Sequence, residues 1–252
     1  MTGAARRGSR SPEQLQEMFA TIAPCYDRLN HMLSLGADIL WRRRAAGWAS
    51  GLYPRTIIDL ACGTGDMALA LAERCPQARI AAVDFSEEML ALCYGKMRRR
   101  RHPPRVSLLA GDVLRLPFAD DAFDLAAVAF GLRNLKDPSV ALAEATRVVR
   151  AGGWVVALEV TMPRGKWWGW LYRLYFRYLL PALGTLVSRA PGAYQYLRDS
   201  VVRFTDAHRL PALMEQAGLS LIRTGTWSGG IATCALGKKP GPAVRAEAER
   251  EA

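Results

Sequence analysis

Two glycines and three aspartates, set at regular intervals, are the residues of this chain whose types and spacing point most directly to chemistry. The run from Ile57 to Gly65 reads Ile-Ile-Asp-Leu-Ala-Cys-Gly-Thr-Gly, and Asp84 closes the next apolar run 19 residues beyond Gly65. A buried strand, a glycine turn, a helix start and then an acid form the arrangement with which an α/β sheet holds an adenosine-containing ligand. Gly63 and Gly65 are expected to let the backbone approach that ligand, and Asp84 to accept hydrogen bonds from ribose hydroxyls. Gly63-Thr64-Gly65-Asp66-Met67-Ala68 also satisfies a looser dinucleotide pattern. Against a dinucleotide, Asp59 at the first strand end would repel a pyrophosphate but could pair with an ammonium group. A third acid, Asp112, follows the apolar run Val106 to Ala110 at the edge of an adenine pocket. Acids at three successive strand ends suit S-adenosylmethionine, a cation, better than an anionic dinucleotide.

The elements that position these residues alternate. The spacing predicts strands at Thr56 to Leu60, Arg79 to Asp84, Val106 to Ala110, Phe123 to Ala129 and Trp154 to Val160. Helices are expected at Asp66 to Glu73, Ser86 to Arg101 and Pro138 to Val149. Such alternation requires right-handed crossovers and a parallel sheet. Ser11-Pro12-Glu13 signals a helix start running to about Ala20, and a helical lead-in follows through Trp41 to about Trp48. A helix capped by Thr205 ends at Gly218. Leu219 to Trp227 and Ile231 to Gly237, joined by Ser-Gly-Gly, read as an antiparallel hairpin at the sheet edge.

The 252 residues, half of them apolar, suit one large domain. The boundaries expected are a disordered 1–10, a domain over 11–237 and a disordered tail over 238–252. A signal peptide is not expected before it, so the reading is cytoplasmic. Cys25, Cys62, Cys75, Cys93 and Cys234 lack any pairing or metal-binding pattern, so free thiols and no metal are expected. The net charge of +11 draws on Arg42 to Arg44 and Arg98 to Arg101. Without interleaved aromatics a structural or solvated role is expected for the second cluster ahead of nucleic-acid contact, since cations at a helix end complement its dipole, and anionic lipid headgroups are the better candidate partner. The 161–203 insertion is long for a connection and is expected to be a lid. Its Lys166 to Leu180 stretch carries cations on one stripe and aromatics on others, fitting an interfacial helix or one that buries its aromatics in the core.

Beyond the glycine loop, the chain resembles the ubiquinone/menaquinone biosynthesis C-methyltransferase family over about 19–238. Tyr26-Asp27-Arg28-Leu29-Asn30 with Ser34 and Trp41 is similar to that family's first signature, with Asp38 where a histidine is usual. Asp59 to Asp66 and Val83 to Leu90 resemble its cofactor motifs. Leu116-Pro117-Phe118, Ala129 to Asn134, and Arg147 to Gly153 continuing to Glu159 follow at its spacing. Tyr194-Gln195-Tyr196-Leu197 with Ser200 and Phe204 is similar to its lid motif, while Ala235 stands where a histidine is usual. The resemblance implies a class I, Rossmann-like seven-stranded methyltransferase sheet, mostly parallel with an antiparallel C-terminal hairpin strand. N-terminal helices and a helical lid insertion complete the implied fold.

The resemblance also implies roles. Asp59, Gly63, Thr64, Gly65, Asp84, Phe85, Asp112, Val113 and Ala129 would hold S-adenosylmethionine. Arg133, Asn134, Asp27 and Tyr26 would serve the chemistry, and His31, Tyr194 and Tyr196 would close over the substrate. Each has a plainer alternative: Asp27 as a helix cap, His31 as a surface histidine, and Arg133 in an ion pair with Glu144 or Glu159. An arginine stays protonated at neutral pH, so Arg133 is expected to stabilise a developing phenolate rather than act as a free base. The implied reaction is C-methylation of a polyprenylated quinol, demethylmenaquinol first and 2-polyprenyl-6-methoxy-1,4-benzoquinol second. The expected partners are that quinol, a membrane surface at the inner face and a second copy in a homodimer. The rival readings are phosphatidylethanolamine N-methylation and a non-catalytic, cofactor-binding membrane assembly module.

Overall fold

The computed structural model describes residues 18, 20, 21, 23–100, 105–163, 169, 170, 172, 174 and 209–241. Seven strands form one sheet: β1 (Thr56–Leu60), β2 (Arg79–Asp84), β3 (Val106–Ala110), β4 (Phe123–Ala129), β5 (Val149–Val160), β6 (Ser220–Trp227) and β7 (Ala232–Lys238). They lie in the order β3-β2-β1-β4-β5-β7-β6. The first five are mutually parallel, and β7 runs antiparallel to both β5 and β6. The helices are α1 (Tyr26–Leu33), α2 (Ala37–Ser50), α3 (Asp66–Arg74), α4 (Glu87–Arg98), α5 (Pro138–Val148) and α6 (Arg209–Gln216).

The central strands are apolar on both faces because both faces are covered. Ile57, Leu125 and Val156 enter one core with Trp41 and Ala45 of α2 and Leu71 of α3. Their neighbours Ile58, Ala126 and Val155 enter the other, with Leu142 of α5 and Leu210, Leu213 and Met214 of α6. Helix starts are fixed locally. Ser86 Oγ accepts the Met89 N–H ahead of α4, and Asp137 Oδ1 accepts the N–H groups of Ser139 and Val140, with Pro138 in the first turn of α5.

Two details differ from the sequence reading, and the C-terminal hairpin agrees with it. β5 begins at Val149 rather than Trp154, because Gly152, at φ +74°, and Gly153 carry a bulge opposite Asp124. A Cβ at Gly153 would come within 2.8 Å of the Asp124 carbonyl oxygen. The hairpin lies at the sheet edge as expected, with β7 paired on both sides and β6 outermost. The domain also continues past residue 237. Lys238 belongs to β7, and Lys239 Nζ donates to Asp121 Oδ1 and to the Val149 carbonyl. The stretch 11–17, the Thr205 cap and most of the lid lie outside the described residues.

Asp124 clamps the strand starts opposite the site end. Its carboxylate accepts the N–H groups of Arg55 and Thr56, the Thr56 hydroxyl and Arg150 Nε. Partial burial pushes its pKa up, but these donors outweigh burial and hold it at about 2. A carboxyl depressed in the folded state stabilises above its unfolded value near 4, and that contribution is lost as pH falls toward 2. Asp124→Asn should therefore lower the melting temperature at pH 7, and the gap to wild type should close between about pH 4 and pH 2 in a pH series of thermal melts. A gap that persists at the acid end would show that Asp124 acts through shape and not charge.

Candidate active site

The strand order reverses between β1 and β4, and in an open α/β sheet a ligand crevice forms beyond the carboxyl ends of such a pair. Both loops there adopt unusual backbone. Ala61 lies at φ +51° and Phe130 at φ +61°, left-handed conformations that non-glycine residues adopt at an energetic cost. The loops touch, since a Cβ at Gly131 would fall 2.8 Å from Ala61 Cβ. Gly63, at φ +54°, has nothing within 4 Å of an added Cβ, so its open side fits a bound group. Gly65 also meets a packing demand. At φ +84° it begins α3, and a Cβ there would lie 2.1 Å from Cys93 Sγ, so its bareness lets α4 pack against the loop.

Asp59 is fully enclosed between β2 and β4, paired in register with Ala82 and Ala127. No hydrogen bond of normal geometry reaches either carboxylate oxygen. Burial drives its pKa up to about 8; the nearby Arg42 charge and the approach of the Ala68 N–H only partly offset this. Asp84, at the end of β2, accepts the Gly63 N–H at 2.7 Å through Oδ2 and the Ser86 N–H at 3.0 Å through Oδ1. Burial raises its pKa, and these N–H groups oppose the rise. Asp84 therefore shapes the glycine loop in addition to any role toward a ribose. Phe85 is partly exposed beside it. At the end of β3, Asp112 is exposed and accepts the Leu114 N–H in a turn, whereas Val113 is buried in the core. Ala129 ends β4, half-buried.

An ionic network that sequence reading did not foresee joins α1 and α2 to this loop. Thr64 Oγ1 donates to Asp27 Oδ1 at 2.5 Å, and Lys96 Nζ of α4 lies 2.6 Å from Asp27 Oδ2, 2.6 Å from Asp66 Oδ1 and 2.9 Å from Thr64 Oγ1. Asp27 thus binds the loop and does not cap a helix. His31 Nδ1 is 2.9 Å from Asp38 Oδ2, and its Nε2 is 4.0 Å from Asp66 Oδ2. Arg42 Nη1 reaches Asp38 Oδ2 at 2.5 Å and Asp66 Oδ2 at 4.0 Å, while its guanidinium stacks 4.7 Å over the Phe130 ring. Burial would raise the Asp38 pKa, but Arg42, Ser34 and His31 together hold it below the ordinary value. The position that departs from the family signature is therefore coupled to the cofactor loop instead of lying away from it. His31, Asp38 and Asp66 could also surround a cation, but the Arg42 guanidinium already supplies positive charge to both carboxylates.

Arg133 and Asn134 follow β4 in a short turn. The Arg133 guanidinium donates to Glu159 Oε1 at 2.5 Å and to the Phe130 carbonyl at 2.6 Å, and the Arg133 N–H reaches Glu159 Oε2 at 3.2 Å. Of its two anticipated partners, Glu159 is the one engaged, while Glu144 pairs with Arg147. Asn134 Nδ2 donates to the Phe130 carbonyl at 3.3 Å. Tyr26 opens α1, half-buried. Tyr194 and Tyr196 lie outside the described residues. Sequence reading missed Lys96 because a lysine in the last turn of a helix looks like simple dipole compensation. The available signal was its spacing, three residues after Cys93 and so on the face of α4 that meets Gly65.

A buried carboxyl whose charge Arg42 and the Ala68 N–H only partly compensate, beside an open glycine loop, fits a ligand that brings its own ammonium group, as the methionyl end of S-adenosylmethionine does. With the β3-β2-β1-β4-β5-β7-β6 sheet, this defines a class I, Rossmann-like S-adenosylmethionine-dependent methyltransferase. The comparisons with known proteins agree. The model of the ubiE/COQ5 methyltransferase family matches residues 8–239, and the chain belongs to that family. It is 45% identical over 223 residues to the demethylmenaquinone methyltransferase of Thermus thermophilus, covering 88% of this chain and 100% of that one. It is 46% identical over 206 residues to the protein of the same name in Deinococcus radiodurans, covering 82% and 85%. It is also 41% identical over 228 residues to the ubiquinone/menaquinone biosynthesis C-methyltransferase of Geotalea daltonii, covering 90% and 97%. Among solved structures, a SAM-dependent methyltransferase from Aquifex aeolicus shares the fold at a TM-score of 0.60 and 16% identity, over 84% of this chain and 97% of that one.

Two expectations follow. The folded protein keeps a proton on Asp59 that the unfolded chain releases between about pH 4 and pH 8, so this group removes stability as pH rises through that window. Asp59→Asn should gain stability relative to wild type from pH 4 to pH 8 and lose the melting-temperature rise that the cofactor gives wild type. A variant that still responds fully to S-adenosylmethionine would remove Asp59 from the binding site. Lys96→Met leaves Asp27 and Asp66 without their shared cation, and calorimetric titration should show cofactor affinity falling by about tenfold, with faster amide exchange in α1. Unchanged affinity with unchanged exchange would make the Lys96 contacts incidental.

Proposed function

We propose that this methyltransferase transfers a methyl group to a ring carbon of a polyprenylated quinol, demethylmenaquinol above all, with 2-polyprenyl-6-methoxy-1,4-benzoquinol as a second substrate. The observation that carries the reading is the extended similarity, over nearly the whole ordered chain, to relatives named for demethylmenaquinone. S-adenosylmethionine supplies the electrophilic methyl when bound; the C–S bond breaks as the C–C bond forms, and the ring carbon then loses its proton. Asp59 would take the ammonium end, Asp84 the ribose, Thr64 and the glycine loop the methionyl chain, and Phe85, Asp112, Val113 and Ala129 the adenine side.

The ring is a weak nucleophile until its phenol, with a pKa near ~10, gives up its proton. Arg133 follows β4 with its side chain almost wholly buried, fixed by Glu159 and the Phe130 carbonyl. In this reading it stabilises the developing phenolate, with Asn134 beside it to bond a quinol oxygen. Tyr26, Asp27 and His31 border the ring from α1, with Asp27 also holding the loop closed, and Tyr194 and Tyr196 cover it from the lid. We place the enzyme in the cytoplasm at the inner membrane face, as a homodimer, because its substrate resides in lipid. Among the described residues, no helix is long and apolar enough to cross a membrane.

Purified protein given methyl-labelled S-adenosylmethionine should label demethylmenaquinol in the quinone fraction and leave phosphatidylethanolamine unlabelled. Label in the phospholipid instead would overturn the substrate assignment. Arg133→Lys keeps the charge but not the planar fork, and should reduce turnover by about a hundredfold while changing cofactor affinity little. Wild-type turnover in that variant would confine Arg133 to the Glu159 pair.

A further inference from the structure

The turn between α1 and α2 holds a leucine where a soluble protein ordinarily places glycine. α1 ends at Leu33, Ser34 caps it, and the chain then closes with two characteristic bonds. The Gly36 N–H reaches the His31 carbonyl at 2.7 Å, and the Leu35 N–H reaches the Met32 carbonyl at 3.1 Å. This is the Schellman closure, whose left-handed position favours glycine because it has no Cβ. Here that position is Leu35, at φ +53°, and the glycine comes one residue later. The leucine's side chain is 90% exposed. It therefore carries a backbone cost and an exposed apolar side chain with no return in core packing.

Two more apolar side chains stand next to it. Ile39 is 39% exposed and Leu40 is 48% exposed, both in the first turn of α2. Arg43 and Arg44, also exposed, follow at spacings of three to five residues, on the same solvent face, while Asp38, Trp41, Arg42 and Ala45 of the opposite face are buried. Arg44 rests 5.9 Å from the Trp227 ring. The face thus runs from an apolar tip to a pair of guanidinium groups roughly one helical turn, ~5 Å, behind it. That separation matches the step from the acyl boundary of a bilayer to its headgroups, where arginine attracts anionic lipid. On a neighbouring segment Tyr172 packs against the Leu29 cluster while Trp170 and Leu174 stay exposed.

We propose that the Leu35–Leu40 tip is a membrane anchor that inserts its three aliphatic side chains into an anionic lipid surface while Arg43 and Arg44 engage the headgroups. The inference rests on the reading above that the substrate is a membrane-resident quinol, and it locates the contact on the same hairpin whose Asp27, His31, Asp38 and Arg42 reach the cofactor loop.

The test uses the full chain and flotation with phosphatidylglycerol/phosphatidylcholine vesicles. Leu35→Asn is the safest variant, since asparagine tolerates the left-handed backbone better than leucine, so its melting temperature should hold or rise. With Ile39→Gln and Leu40→Gln added, vesicle binding should fall by about tenfold or more. Turnover on a quinol presented in vesicles should drop with it, and turnover on a short-tailed, water-soluble quinol should not change. Arg43→Gln should weaken binding and reduce its sensitivity to salt. Three results would overturn the proposal. If wild type does not float, the membrane reading itself fails. If wild type and the triple variant float equally, the anchor lies elsewhere and the membrane reading stands. If flotation is equal and the variant alone changes from dimer to monomer in sedimentation, the tip is a subunit contact.

Discussion

The arrangement around the site depends on one unfavourable burial: the Asp59 carboxyl in the middle of a parallel sheet. Its pKa near 8 means that charging it in the free protein costs on the order of 5 kcal/mol more than in water. Two neighbouring acids, Asp66 and Asp84, add to that cost. The nearest compensating charge is Arg42, yet Arg42 is committed to Asp38. The site therefore stays one positive charge short where the methionyl ammonium would lie. A cationic ligand can regain what burial removed, whereas an anionic one would meet a neutral acid and two further carboxyls.

The rest of the local structure keeps that shortage in place. Had Arg42 been free to swing, it would have neutralised Asp59 and filled the crevice. Asp38 prevents this, and Asp38 is itself fixed by Ser34 and His31. On the other side of the loop Lys96 divides itself among Thr64, Asp27 and Asp66 instead of reaching inward. Opposite, Glu159 anchors Arg133 at the end of β5. The left-handed backbone of Ala61 and Phe130 persists because these contacts over-determine both loops.

The strands were legible because a strand buried on both faces leaves an uninterrupted apolar run, and the helix starts because Ser86 and Asp137 solve the unsatisfied N–H problem locally. The placement of Asp59, Gly63 and Asp84 around the β1 and β2 strand ends was legible for a related reason: it is set by position along one βαβ unit. Lys96 and Arg42 were not: Lys96 acts on residues 30 or more positions away, and Arg42, although its pair with Asp38 is a local i,i+4 contact, approaches Asp66 only through the packing of α2 on α3. The packing of Gly65 against Cys93 was not legible, because that demand selects the same residue as a ligand contact does. Asp38 was not legible as coupled to the loop either. Its distance to Asp66 is short only after α2 packs across α3.

That packing places two sets of residues on one α1–α2 hairpin. Its inner face carries charges that tune the cofactor loop, and its outer tip carries aliphatic side chains that no core claims. α2 is seated on the sheet through Trp41, Ala45, Ala46 and Ala49, so force or contact at the tip is transmitted to the network without an intervening flexible joint. A lipid surface meeting Leu35 would restrain the helix that carries Asp27 and His31, the same residues that hold Thr64 and approach Asp66. Substrate delivery and cofactor-site order would then be biased by one element, the physical requirement for coupling between two sites.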